Sequence, residues 1–243
     1  RYVRPDGESY ALAGLQAYVP NRGDGWAHVL RQLSDGTATQ AELRLLGHRT
    51  AELHQALTAV TGSDFAPEAI TADDVEHWRR RAWAGVEAAA LLPYRELLAP
   101  WREGLLHGGG GTMQGLKHRI HGDFHLGQVL RTLTDDWVIF DFEGEPARPM
   151  AERRRKGSPL QDVAGMLRSF SYAAHTSGQI SWEAEARAEF LGGYAGVAGA
   201  VCESTLRFFE MEKAVYELAY ELAHRPDWVA IPLAGIRALM AKR

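Results

Sequence analysis

The sequence predicts an α+β fold that is mostly α, a helical lobe with one small β hairpin at its catalytic centre. Two observations predict it. Helix-like apolar spacing recurs over residues 24–34, 40–60, 71–107, 159–176, 182–200, 203–224 and 232–241, built largely from good helix formers. Strand-like runs are confined to residues 129–132 and 137–142, joined by a polar turn, with one more short candidate at residues 15–19. Asp24, just ahead of Trp26, suits the cap of the first helix. Pro67, Pro93, Pro100, Pro159 and Pro232 mark helix starts or kinks. The four glycines 108–111 read as a flexible connector, because no hydrophobic strand precedes them and no Lys-Ser/Thr follows.

The hairpin draws attention through its flanks. His121-Gly122-Asp123-Phe124-His125 precedes it, Gln128 stands five residues after Asp123, and Asp141 ends the second strand eighteen residues after Asp123. Kinases use this layout. Phosphoryl transfer needs little covalent help, so the catalyst must place a hydroxyl in line with the γ-phosphate and neutralise charge with metal. Mg²⁺ takes hard oxygen ligands and only one or two carboxylates besides phosphates and water. The hairpin can fold the Gln128 amide oxygen and the Asp141 carboxylate back toward Asp123, which would orient the hydroxyl. A different chemistry also fits part of the motif: on an extended segment His121, Asp123 and His125 share a face and could bind a transition metal. That reading has no use for Asp141. A third reading makes His121 a buried, hydrogen-bonded brace for the loop.

Composition bounds the alternatives. At 243 residues, 46% of them hydrophobic, the chain can bury a sizeable core as one large domain. A net charge of −4, without a long basic helix or zinc-finger spacing, argues against nucleic acid as the main partner. Cys202 is the single cysteine, so no intrachain disulfide can form, which suits a reducing compartment and makes the cytoplasm the default. No stretch reaches the roughly 18 uninterrupted apolar residues of a membrane span.

His121-Gly122-Asp123-Phe124-His125 with Gln128, followed by Ile139-Phe140-Asp141-Phe142-Glu143-Gly144-Glu145-Pro146, resembles the aminoglycoside-phosphotransferase-like branch of the protein-kinase-like fold. Within that branch the chain looks most like actinobacterial maltokinases, through Leu15-Gln16-Ala17-Tyr18-Val19-Pro20-Asn21, Gly23-Asp24-Gly25-Trp26, Ala51-Glu52-Leu53-His54, residues 153–168 and Lys213-Ala214-Val215-Tyr216-Glu217. The resemblance implies ATP-dependent phosphorylation of maltose to maltose 1-phosphate with Mg²⁺, Asp123 as base, His121 supporting the loop, and Gln128 and Asp141 as metal ligands. Gln128 stands where Asn is commoner, and Glu143 where Gly is commoner. It also implies that Gln16, Ala17, Tyr18 and Val19 form the hinge that recognises adenine.

No Gly-x-Gly-x-x-Gly loop and no Val-Ala-x-Lys strand precede that hinge. The expectation is therefore residues 1–22 as the hinge and end of a missing N-lobe, and residues 23–243 as the helical C-lobe, deficient in catalysis alone. Glucosamine or an aminoglycoside are the alternative acceptors within the same fold, an amino sugar calling for an acid-lined pocket. A non-catalytic kinase-like module is a further alternative, as is fusion or complex with a trehalose or maltose enzyme.

Several single features remain. Lys213, Tyr216, Glu217, Tyr220 and Glu221 fall on one helical face, either a sugar-binding wall or an exposed stripe with a Lys213–Glu217 pair. His125, two residues past the base, is expected at the sugar. Asp162 opens a helix; its counterpart in kinase-like folds accepts hydrogen bonds from the catalytic-loop backbone and supports the site. Arg153-Arg154-Arg155-Lys156 reads as a solvated basic loop, with phosphate contact as the minority reading. His48 and His54 read as surface or packing residues.

Overall fold

A computed structural model describes residues 2–3, 5, 7, 9–10, 17–37, 40–60, 62–107 and 113–241. The elements run β1 (Tyr2–Val3), β2 (Ser9–Tyr10), β3 (Asn21–Asp24), α1 (Gly25–Asp35), α2 (Gln40–Ala59), β4 (Glu68–Ala69), α3 (Ala72–Val86), α4 (Arg95–Leu106) and β5 (Leu116–Lys117). Then follow β6 (Val129–Thr132), β7 (Trp137–Ile139), α5 (Met150–Arg153), α6 (Leu160–Ser177), α7 (Trp182–Ala198), α8 (Glu203–His224) and α9 (Ala230–Ala241). The mostly helical α+β architecture expected from periodicity is the one observed.

Local chemistry sets several boundaries. The Asp24 carboxylate accepts from the Ala27 N–H at 2.8 Å and caps α1. Gly36 ends α1 at φ 65°, a left-handed backbone that glycine adopts without Cβ strain. Thr71 and Asp74 form a reciprocal capping box at the start of α3. One expected element is different. Residues 71–107 form two helices, α3 and α4, separated by a 3₁₀ turn over Ala89–Tyr94. Pro93 lies in that turn; it donates no N–H, and its ring would clash with the carbonyl four residues back in a continuous helix.

The hairpin forms with the register Val129↔Ile139, Leu130↔Val138 and Arg131↔Trp137. Asp135, at φ 58°, turns the chain. A third strand joins it: β3 pairs antiparallel with β6, giving the order β3-β6-β7. This strand starts at Asn21 rather than within residues 15–19. Ala17, Tyr18 and Val19 take no regular structure, and Gln16 lies outside the described residues. The sheet is fastened to α2 through Glu42, whose backbone carbonyl accepts from Trp137 Nε1 at 2.9 Å and whose carboxylate pairs with buried Arg131 at 3.0 Å.

Helix α6 is the axis of the lobe, with 13 of its 18 residues buried, so water meets little of its circumference. Met166, Leu167 and Phe170 are fully buried. Helices α2 and α7 cross with their backbones in contact because each presents a glycine. A Cβ on Gly47 would lie 2.0 Å from the Phe190 carbonyl oxygen, and one on Gly193 would lie 1.9 Å from that of Arg44. Both contacts are far inside van der Waals distance and involve backbone, which cannot swing aside. Gly193→Ala is therefore expected to cost at least about 2 kcal/mol in urea unfolding, on the scale of overpacked cores. A cost within about 0.5 kcal/mol would mean that the two helices are not this close.

Candidate active site

The segment from His121 to Gln128 is held from behind by one face of α6. Asp162, Gly165 and Ser169 stand at i, i+3 and i+7 on that face. The Asp162 carboxylate accepts from the His121 N–H at 2.8 Å and from the Gly122 N–H at 2.9 Å. Gly165 lets the loop backbone lie against the helix, since a Cβ there would meet the Phe124 carbonyl oxygen at 2.5 Å. The Leu126 N–H donates to Ser169 Oγ at 3.0 Å.

Behind Asp162 stands His54 of α2. Its Nε2 lies 3.1 Å from the Asp162 carboxylate and its Nδ1 lies 3.0 Å from the Tyr194 hydroxyl. Burial pushes the Asp162 carboxyl up, but His54 and the loop N–H donors outweigh it and hold it below the usual carboxylate range. Sequence inspection compared His54 only with His48; its place on the buried face of α2, seven residues after Gly47, was the available signal.

The front of the loop carries the groups expected to do chemistry. Gly122, at φ 83°, turns the backbone between His121 and Asp123. His121 is buried, and both ring nitrogens are engaged: Nε2 donates to the Phe140 carbonyl at 2.8 Å, while Nδ1 accepts from the Asp123 N–H at 3.4 Å. A ring so committed braces the two halves of the site and has no lone pair free for a metal. The Asp123 side chain, 16% exposed, faces Lys213 Nζ at 3.7 Å.

Asp141 sits at φ 65°, a conformation costly for a residue with a Cβ. Its carboxylate lies 3.1 Å from Gln128 Nε2. Both side chains carry hard oxygens and meet at an exposed point, which fits a Mg²⁺ ion that takes its remaining ligands from phosphates and water. Among the described residues no cluster of three or more His, Cys, Asp or Glu side chains could hold a metal.

On the other side of Asp123 opens a cavity of about 720 Å³, walled by α8. His125, Lys213, Tyr216, Glu217 and Tyr220 all line it. His125 also caps the 3₁₀ turn Leu126–Gln128, accepting from the Gly127 N–H at 3.0 Å, and burial holds its imidazole below its ordinary pKa. Tyr216 and Tyr220 stack with centroids 6.4 Å apart. Burial and the Glu145 carboxylate push the Tyr216 hydroxyl up, so it remains a donor.

The Lys213–Glu217 pair, the alternative to a sugar-binding wall, is not among the ion pairs that form among the described residues. Lys213 points to Glu145, at 3.4 Å, and to Asp123, while Glu217 is bound by buried Arg168 at 2.9 Å. Two partners across the fold outcompete one turn of helix. Five carboxylates line the cavity (Asp24, Asp123, Glu145, Glu217, Glu221) against two cations, Lys213 and Arg225. Arg225 is already bonded to Glu221 at 2.7 Å and Arg168 to Glu217, so the lining stays net acidic. Trp228 and Tyr172, with ring centroids 5.9 Å apart, close the far edge. Glu145, Arg168 and Tyr172 were missed in sequence because only tertiary packing brings them here.

The basic run is also less free than its composition suggested. Arg153 donates to the carbonyls of Arg148 and Pro146 at 2.8 and 2.9 Å, and Lys156 pairs with Glu68.

Asp162→Ala would leave two buried loop N–H groups and His54 without their acceptor, each worth about 1–3 kcal/mol. Loss of roughly 3 kcal/mol or more is expected in denaturant unfolding at neutral pH. The sign with pH follows from the depressed folded value. Asp162's contribution is fully present above the unfolded carboxyl pKa of about 3.9 and is lost as pH falls through the lower folded value. The wild-type advantage over the variant should therefore shrink on acidification; an advantage that grows would contradict the clamp.

Comparison with known proteins agrees with this geometry. A model of the phosphotransferase enzyme family matches residues 6–209. The chain is 32% identical to a glucosamine kinase of Mycolicibacterium smegmatis, over 93% of this chain and 62% of that protein. It is 28% identical to a glucosamine kinase of Streptacidiphilus jiangxiensis, over 96% and 58%. A glucosamine kinase crystal structure (crystal form B) superposes with TM-score 0.76 at 25% identity, covering 93% of this chain and 62% of that one. Another, in complex with glucosamine, ADP and inorganic phosphate, gives TM-score 0.75 at 24% identity, over 93% and 63%. The chain thus spans about three-fifths of the length of the relatives it matches. With most of its length matched by the family model, the chain belongs to the phosphotransferase enzyme family.

Proposed function

We propose that the intact protein phosphorylates a hydroxyl of glucosamine, or of a closely related amino sugar, at the expense of ATP. This replaces the maltose expected from the sequence. The observation that carries it is the acid-lined cavity beside Asp123: a neutral disaccharide can only donate hydroxyl hydrogen bonds to its carboxylates, whereas an ammonium group also gains their Coulomb attraction. The glucosamine kinases among the relatives support the same choice.

Asp123 orients the acceptor hydroxyl and takes its proton. His121 keeps the loop in place through the Phe140 carbonyl. Gln128 and Asp141 would hold Mg²⁺, which would supply charge neutralisation to the phosphates. Tyr216, Tyr220 and Trp228 offer ring faces to the sugar, His125 offers a neutral imidazole, and Glu145 and Glu217 offer carboxylates to the amine. Ala17, Tyr18 and Val19, with Gln16, are the proposed adenine-recognising hinge, and the cytoplasm is the compartment that suits ATP use.

Steady-state kinetics test both halves of the reading. Asp123→Asn is expected to lower kcat by roughly a hundredfold or more with ATP binding kept, the usual scale for lost general-base catalysis. Near-normal turnover would remove Asp123 from the mechanism. Glu145→Gln is expected to raise KM for glucosamine by about tenfold while leaving KM for ATP unchanged. Faster turnover of maltose than of glucosamine by the wild-type protein would overturn the amino-sugar assignment and leave the kinase assignment standing.

A further inference from the structure

A second cavity, of about 650 Å³, lies behind the acceptor pocket, and Asp123, Glu145, Lys213 and Tyr216 form part of the wall between the two. Trp78, Phe124 and Phe209 give it an apolar floor, and its lining carries seven Arg and Lys side chains against five carboxylates, two of which it shares with the acceptor pocket. Some of those cations are neutralised: Arg81 by Glu212 at 2.7 Å, and Lys156 by Glu68.

Arg153, also in the lining, gives its donors to the Arg148 and Pro146 carbonyls. Among the described residues Arg148 and Arg155, which line the cavity too, form no ion pair with a carboxylate. Burial and the like charge of Arg81 pull Arg148 below its ordinary range, against the more distant Glu212 and Glu145. Burial and then Arg155 do the same to His77, another lining residue, although the Glu152 carboxylate stands 3.2 Å from its Nε2. Neither Gln128 nor Asp141 lines this cavity, so it does not coincide with the point where the nucleotide's metal is expected.

We propose that this cavity binds an organic anion, a phosphate monoester or a carboxylate on a compact apolar body, with Arg148 and Arg155 holding the anionic group and the aromatic floor holding the body. Guanidinium groups suit both anions through paired N–H donors. An apolar floor adds affinity that an inorganic ion cannot use. The proposal is independent of which sugar the acceptor pocket takes.

Calorimetric titration of the intact protein with phenyl phosphate, benzoate, phenol and inorganic phosphate tests it. Saturable binding of phenyl phosphate or benzoate is expected, at least tenfold tighter than phenol or inorganic phosphate, and the tighter anion identifies the class. Arg148→Ala should weaken it by about tenfold or more, the scale of one lost charge-assisted hydrogen bond. Arg155 is exposed at the cavity mouth, so Arg155→Ala should fold normally and also weaken binding. Absence of saturable binding, or equal binding by wild type and both variants, would overturn the proposal. So would displacement by ADP, which would give these cations to the nucleotide phosphates.

Discussion

The carboxylate of Asp162 is the point on which the site depends. It is buried, lies at the start of the central helix, and accepts from two consecutive N–H groups of the loop that leads to Asp123. A buried charge is tolerated only when its lone pairs are satisfied, and each of those bonds is lost if the loop moves. The loop is therefore pinned by the same interaction that allows the charge to be buried. His54 and Tyr194 extend the network into α2 and α7, the helix pair whose backbones touch at Gly47 and Gly193. Packing far from the chemistry thus bears on where Asp123 stands.

The front of the loop shows the complementary principle. His121 bonds the Phe140 carbonyl, and the next residue, Asp141, adopts a left-handed backbone. That conformation is paid for by the surrounding contacts, and it turns the Asp141 carboxylate toward Gln128. The hairpin brings the two ligand candidates together, while the histidine prevents the second strand from running on. Function is concentrated where the backbone leaves its preferred regions.

Much of this was legible because it is local. The hairpin follows from alternation and a polar turn, the α1 cap from Asp24, and the motif from spacing between Asp123, Gln128 and Asp141. What was not legible is non-local. A Lys213–Glu217 pair is the natural expectation along one helix, but Glu145 and Arg168, distant in sequence, supply better partners. His54 looked like a packing residue because nothing in sequence connects α2 to Asp162. The break at Pro93 was marked by a proline whose effect could be a kink or an interruption, and only the chain around it decides. The acidity of the pocket was hidden for the same reason: the acids that line it come from β3, the loop before β6, the segment after β7 and α8, and no single window reveals their sum.

The two cavities give that sum a direction. Carboxylates outnumber cations five to two in one lining, while in the other seven cations stand against five carboxylates. Asp123 belongs to both linings. Such a difference in charge balance partitions ligands more effectively than shape can, because in a partly desolvated cleft Coulomb terms exceed those of a single apolar contact. Among the described residues Lys213 is the one Lys or Arg side chain common to the two linings, and its ammonium is held between Asp123 at 3.7 Å and Glu145 at 3.4 Å, so the cation nearest Asp123 is fixed by the same carboxylates that line both cavities.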